Sequence, residues 1–136
     1  MVIKMKLIIG GYAQGKLAFV CRENTENIYE ITEGTLPSKE WLAECKEQGK
    51  TPVIYRFHEY VKKSLSEGKH PEENLQNVME YMKDCIIISD EIGNGIVPMD
   101  ASEREYRERT GRLLVAIAEQ ADEVIRVICG IGQKIK

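Results

Sequence analysis

Histidine is scarce in this chain: His58 and His70 are the only two in 136 residues, and no partner motif flanks either. Neither reads as a metal ligand or a nucleophile. Cysteine is also sparse, and Cys21, Cys45, Cys85 and Cys129 lie 24, 40 and 44 residues apart. That spacing excludes the paired arrangement of zinc sites and points to buried free thiols in a reducing cytoplasm. Long apolar runs are missing. The longest, Leu7–Ile9 and Cys85–Ile88, fall far short of the ~20 residues that span a bilayer. The opening Met1-Val-Ile-Lys-Met-Lys-Leu-Ile-Ile-Gly10 places lysines inside an apolar run and offers no small-residue cleavage site, so it does not read as a signal peptide. An excess of one charge is lacking too: 19 Lys and Arg stand against 22 Asp and Glu, a net −3. The charges are mixed and form no basic stripe, which argues against nucleic acid as a partner.

What is present suits one α/β domain over residues 1–136, with a mainly parallel sheet flanked by helices. Strand-like apolar runs alternate with helical patterns, and no repeat or Pro/Gly/Ser linker divides them. Val2–Ile9 and Cys85–Ser89 read as inner strands, because strands covered on both faces need not alternate. Asn27–Thr32 alternates as a half-buried strand does, Pro52–Tyr55 is a short strand, and Glu123–Ile128 is the last. A helix is expected from about Gly15 to Cys21. Ser38 can cap a second, bearing Trp41, Leu42 and Cys45. Phe57, Tyr60, Val61 and Leu65 share one helical face. Leu75, Val78, Met79 and Met82 share another behind a first-turn Pro71. Asp100 with Glu103 has capping-box spacing before a helix whose apolar face is Tyr106, Leu113, Leu114, Ile117 and Ala121. Gly130 and Gly132 read as a turn before a short basic tail.

Two segments carry candidate chemistry. Gly10-Gly11-Tyr12-Ala13-Gln14-Gly15-Lys16 follows a strand, opens a helix and matches G-x-x-x-x-G-K. In that pattern backbone N–H groups wrap phosphates and the lysine reaches the terminal ones. Leu17 stands where the pattern has Ser or Thr to hold Mg²⁺. The plainer reading is a glycine-rich turn with an exposed lysine. In Ser89-Asp90-Glu91-Ile92-Gly93-Asn94-Gly95-Ile96-Val97-Pro98, two carboxylates leave the end of an apolar strand, where open α/β sheets place ligands. They suit Mg²⁺ or a hydroxyl proton, and the plainer reading is a solvated turn. Arg104, Arg107, Arg109 and Arg112 could clamp phosphates, but Glu103–Arg107, Glu105–Arg109 and Glu108–Arg112 are i, i+4 pairs, as on a solvated helix face.

The stretch from Ile88 to Pro98, with Arg104-Glu-Tyr-Arg107, Gly111-Arg112, Ala121-Asp-Glu-Val124 and Gly130-Ile-Gly-Gln-Lys-Ile-Lys136, resembles the C-terminal half of the adenosylcobinamide kinase/adenosylcobinamide-phosphate guanylyltransferase family. The Gly10–Lys16 segment is similar to that family's P-loop. The resemblance implies a P-loop NTPase-like α/β fold, an ATP or GTP donor with Mg²⁺, a cobinamide substrate in adenosylcobalamin synthesis, and a homotrimer. It implies nucleotide binding by Gly10, Gly11, Tyr12, Ala13, Gln14, Gly15, Lys16 and Leu17, and catalysis by Lys16, Asp90 and Glu91. Gly93 and Gly95 would shape the substrate side, with Asp90 as the metal ligand. The chain departs from the family at Leu17, at Arg56 (where the family's strand ends in an acid), at Asp90 (for Asn), and at Leu114 (for Asn). The family's guanylylated histidine has no counterpart, since no His occurs between Cys21 and Pro52. The expectation is a cobinamide-kinase-like protein without the guanylyl step. The alternative is a non-catalytic paralogue that binds a nucleotide or corrinoid and has a regulatory or assembly role.

Overall fold

A computed structural model describes residues 4–23, 26–92 and 100–136. Strand β1 (Lys6–Gly10) is followed by α1 (Lys16–Glu23), β2 (Tyr29–Glu33), α2 (Lys39–Glu47) and β3 (Thr51–Tyr55). Then come α3 (Phe57–Ser66), α4 (Pro71–Val78), a 3-10 turn (Met79–Tyr81), β4 (Ile86–Asp90), α5 (Ala101–Gln120), β5 (Glu123–Ile128) and β6 (Ile131–Lys134). The six strands form one sheet in the order β2-β3-β4-β1-β5-β6. Every pairing is parallel except β5 with β6. This is the expected α/β, P-loop NTPase-like architecture.

Both runs read as inner strands are inner, β1 between β4 and β5, and β4 between β3 and β1. Leu7, Ile8, Ile87 and Ile88 are at most 1% exposed, each worth roughly 1.5–3 kcal/mol of burial. The helices divide unequally between the faces. Leu7, Ile54, Ile87 and Val124 pack under α2, α3, α4 and α5, whereas Ile8, Val53, Ile88 and Val127 pack with Val20, Leu17 and Phe19 of α1. Right-handed crossovers explain the division. From β1 the chain travels outward to β2, then returns stepwise through β3 and β4 and on to β5. The change of direction moves α1 to the opposite face. The helices that follow β1 and β4, α1 and α5, therefore lie on opposite faces of the sheet, the kind of switch point at which open α/β sheets form a crevice.

Local signals mostly act as expected. Ser38 Oγ accepts from Trp41 N, and Asp100 Oδ1 accepts from Ser102 N. Pro71 opens α4, and Leu113 and Ile117 of α5 are buried. Three readings are corrected. The helix expected through Met82 stops at Val78 and tightens, so that Met82 N bonds Met79 O and the Met82 side chain is fully buried. The basic tail is the edge strand β6. It exists because Cys129 and Gly130 both take positive φ, 50° and 75°, the geometry of a two-residue hairpin turn. Of the four free cysteines only Cys45 and Cys85 are buried; Cys21 and Cys129 are exposed. Residues 1–3, including the expected start of the first strand at Val2, lie outside the described residues. No helix among the described residues is long and apolar enough to cross a membrane.

The close approach of β5 to β1 makes a prediction. A methyl group at Gly10 would lie 2.5 Å from the Val127 carbonyl oxygen, whereas one at Gly111 in α5 meets nothing within 4 Å. In urea unfolding, Gly10→Ala should lose about 1–3 kcal/mol and Gly111→Ala should gain about 0.5–1 kcal/mol. Equal effects of the two would contradict this packing.

Candidate functional site

The loop between β1 and α1 turns on Ala13 at φ 56° and Gly15 at φ 83°. Turns of this kind can present backbone N–H groups to a common side. The N-terminus of α1 adds its unpaired amides, and no acidic residue occupies the helix's first turn. The β5–β6 hairpin braces the loop from behind. Gly130 N donates to Gln14 O at 2.8 Å, and Cys129 N donates to Gln14 Oε1 at 2.7 Å. Arg22 Nη2 of α1 holds the same turn through Gly130 O at 2.9 Å.

Lys16 turns back across this loop. Its Nζ donates to Gly11 O at 2.7 Å and lies 2.6 Å from Asp90 Oδ1, with 6% of the side chain exposed. The sheet sets this meeting, since Gly10 and Asp90 are register partners at the ends of β1 and β4. A third element completes the cluster. Arg56, between β3 and α3, takes the left-handed conformation (φ 59°, ψ 50°) and sends the chain sharply into α3. That turn buries His58, whose Nδ1 accepts from Asp90 N at 3.0 Å. Its Nε2 lies 3.4 Å from Asp90 Oδ2 and 3.7 Å from Glu59 Oε1. The Arg56 guanidinium sits over the Tyr55 ring, 5.9 Å from its centroid. Together the loop residues 12–18 with Tyr55, Arg56, His58, Ile88, Ser89 and Asp90 line a pocket of about 430 Å³.

Sequence reasoning brought most of these residues forward, though not all to this place. Tyr12, Ala13, Gln14, Gly15, Lys16, Leu17 and Asp90 line the pocket. Gly10 lies behind the loop against Val127, and Gly11 supplies the carbonyl that receives Lys16. Glu91 is not a second pocket carboxylate. Neighbouring residues of an extended chain point to opposite sides, and Glu91 is tied to Arg126 by bonds of 2.7 and 3.1 Å. Gly93 and Gly95 lie outside the described residues. Arg109 joins Glu105 within α5 and also forks onto Glu72 of α4, and Arg112 pairs with Glu108. His58 belongs to no local motif, so the sequence alone does not bring it forward. Its signal is topological: three residues past the end of β3, it must arrive beside the ends of β4 and β1.

The residues present do not fit a protein-held Mg²⁺. Leu17 offers no oxygen and packs among the apolar residues under α1. The Asp90 carboxylate, expected as the metal ligand, already faces the Lys16 ammonium. Among the described residues no three His, Cys, Asp or Glu side chains are grouped to hold a metal ion. Lys16, Arg56, His58, Asp90 and the loop residues contribute to the polar lining of the pocket.

A parallel sheet with a glycine loop and lysine at its strand ends defines the P-loop class. The chain belongs to the cobinamide kinase / cobinamide phosphate guanyltransferase family, whose model matches residues 22–135. It is 43% identical over 51 residues to the bifunctional adenosylcobalamin biosynthesis protein CobU of Salmonella typhimurium, covering 38% of this chain and 28% of that protein. To the protein of the same name in Escherichia coli it is 41% identical over 66 residues, covering 46% and 36% respectively. The matched part thus spans about a third of these relatives' length. The family match begins after Lys16, so the loop rests on its own geometry.

Burial holds the His58 imidazole below the ordinary histidine range; nearby Asp90 and Glu59 oppose this, while Arg56 and Lys16 add to it. The unfolded chain therefore takes up this proton first as pH falls. Its contribution to stability is complete above about pH 6.5 and is lost progressively below that value. Urea unfolding at pH 7.5 and pH 5 should show this loss, and His58→Asn should reduce it. An identical pH dependence in the variant would contradict the assignment.

Proposed function

We propose that the protein binds ATP or GTP through the Gly10–Lys16 loop and transfers the terminal phosphoryl group to a hydroxyl of a cobinamide-type side chain, in cobalamin synthesis. The observation that carries this reading is the convergence of the loop, Lys16, Arg56 and Asp90 on one pocket at the C-terminal end of the sheet. The loop amides would hold the phosphates. Lys16 would leave Gly11 O to meet charge developing on the transferring group. Arg56 would bring a permanent positive charge to the place where the family has an acid. Asp90, released from Lys16, would accept the hydroxyl proton as the new P–O bond forms and the bond to the nucleoside diphosphate breaks. Gly93 and Gly95 would shape the substrate side, as the family resemblance implies. The reading includes one domain and the family's homo-oligomeric, cytoplasmic setting.

Guanylyl transfer is assigned as lost, because residues 22–51 contain no histidine to receive the group. A second reading, a nucleotide- or corrinoid-binding paralogue without turnover, is favoured by one observation. Leu17 removes the hydroxyl that normally fixes Mg²⁺ beside the phosphates.

Calorimetric titration with ATP and GTP, with and without Mg²⁺, tests the site. Binding should change less than about tenfold on adding Mg²⁺, and Lys16→Ala should weaken it by about tenfold or more, the worth of a charged hydrogen bond. Unchanged affinity in Lys16→Ala would refute the site, and a gain of about a hundredfold with Mg²⁺ would refute the metal-poor account. Phosphorylation of adenosylcobinamide separates the kinase from the silent paralogue. Labelled GTP should leave no covalent guanylyl adduct on the protein.

A further inference from the structure

Both ring nitrogens of His58 face one residue. Nδ1 accepts from Asp90 N at 3.0 Å, and Nε2 lies 3.4 Å from Asp90 Oδ2. An imidazole that accepts an amide N–H at Nδ1 carries its proton on Nε2. The ring therefore accepts a hydrogen bond from the Asp90 main chain, and its Nε2 edge lies close to the carboxylate. The other carboxylate oxygen holds Lys16 at 2.6 Å.

The sheet leaves this post open for a side chain. Residues alternate along β4, and Glu91 N bonds Gly10 O on the β1 side. Asp90 N faces the β3 side, where strand pairing runs only as far as Ile54 with Ile87. Beyond that pairing no strand remains to accept the Asp90 amide, and His58 takes the strand's place. An apolar side chain of equal volume would fill the space and leave a part-buried N–H unpaired. Packing alone therefore does not account for a histidine here.

Resting on the phosphate-loop reading above, we propose that His58 is a positioning residue that pins Asp90 as the resident counter-ion of Lys16, so that an incoming polyphosphate must win the lysine from a held carboxylate. Asp90 is held at its amide by His58 and at Oδ1 by Lys16, with the imidazole edge 3.4 Å from Oδ2. The hold weakens ground-state binding of polyphosphate. In return it keeps Asp90 aimed into the pocket once Lys16 has turned to the phosphates. Arg56, Glu59 and Lys16 are the other charged groups around the ring, and none of them contacts the Asp90 amide.

Two substitutions separate the halves of the ring. In His58→Asn the side-chain oxygen falls near the Nδ1 position and keeps the acceptor. In His58→Gln the amide reaches the Nε2 position and the acceptor is lost. Inorganic tripolyphosphate is the probe, titrated calorimetrically into the intact protein, and the Asp90 amide is followed by ¹⁵N NMR without ligand. His58→Gln should displace the Asp90 resonance and bind tripolyphosphate about tenfold tighter, the scale of one charge-assisted hydrogen bond. His58→Asn should keep the resonance and bind within about twofold of the unmodified protein. In an Asp90→Asn background the gain from His58→Gln should vanish, a coupling that general loosening of the fold would not produce. A folded His58→Gln protein with unchanged or weaker affinity would overturn the proposal, as would an equal gain in the Asp90→Asn background. If tripolyphosphate binds the unmodified and Lys16→Ala proteins alike, the phosphate-loop reading fails instead. The ligand-free Asp90 resonance still decides the role of His58: unchanged in both variants, or displaced equally in both, it contradicts the pinning.

Discussion

An ammonium with 6% of its side chain exposed needs an anion beside it, and Asp90 supplies one to Lys16 at 2.6 Å. Much of the molecule serves to make that meeting possible. Gly10 and Asp90 must end neighbouring strands in register, which requires β1 and β4 to be adjacent although 75 residues separate the two strands. The loop must fold back on itself, which requires Ala13 and Gly15 at positive φ. The hairpin at Cys129 and Gly130 must press on Gln14 from behind.

The winding of the sheet also explains why the candidate site lies at one end of it. The reversal of winding direction at β1 sends α1 to one face and the remaining helices to the other. A switch of this kind between β1 and β4 is where open α/β sheets form a crevice. Asp90 and Lys16 pair with one another, and Arg56 and the loop line the same pocket. The family membership read from residues 22–135 and the loop at 10–16 are separate observations that fit one reading.

Much of this arrangement was legible in the sequence, and the gaps have physical causes. Uninterrupted apolar runs identified the inner strands β1 and β4, because burial on both faces removes the need for alternation. The spacing of Gly10, Gly15 and Lys16 located the loop, and Ser38 and Asp100 marked helix starts through their side-chain oxygens. Strand β6 stayed hidden because Cys129 is an unusual residue at positive φ and its hairpin lacks the Asn-Gly or Asp-Gly signature. His58 stayed hidden because its partner is 32 residues away and the two meet only through the sheet. Glu91 was read together with Asp90, although alternation along an extended segment sends adjacent side chains apart; its partner Arg126 lies beyond β1 on β5.

The central claim is that the loop receives polyphosphate through its backbone amides while Lys16 changes partner from Asp90. The most direct measurement follows backbone and lysine Nζ resonances by ¹⁵N NMR as tripolyphosphate is added without any divalent ion. The account predicts saturable shifts concentrated on the amides of Ala13 to Leu17, with the Lys16 Nζ and Asp90 signals moving at the same ligand concentration. Shifts that spare the loop, or that appear only after Mg²⁺ is added, would contradict it.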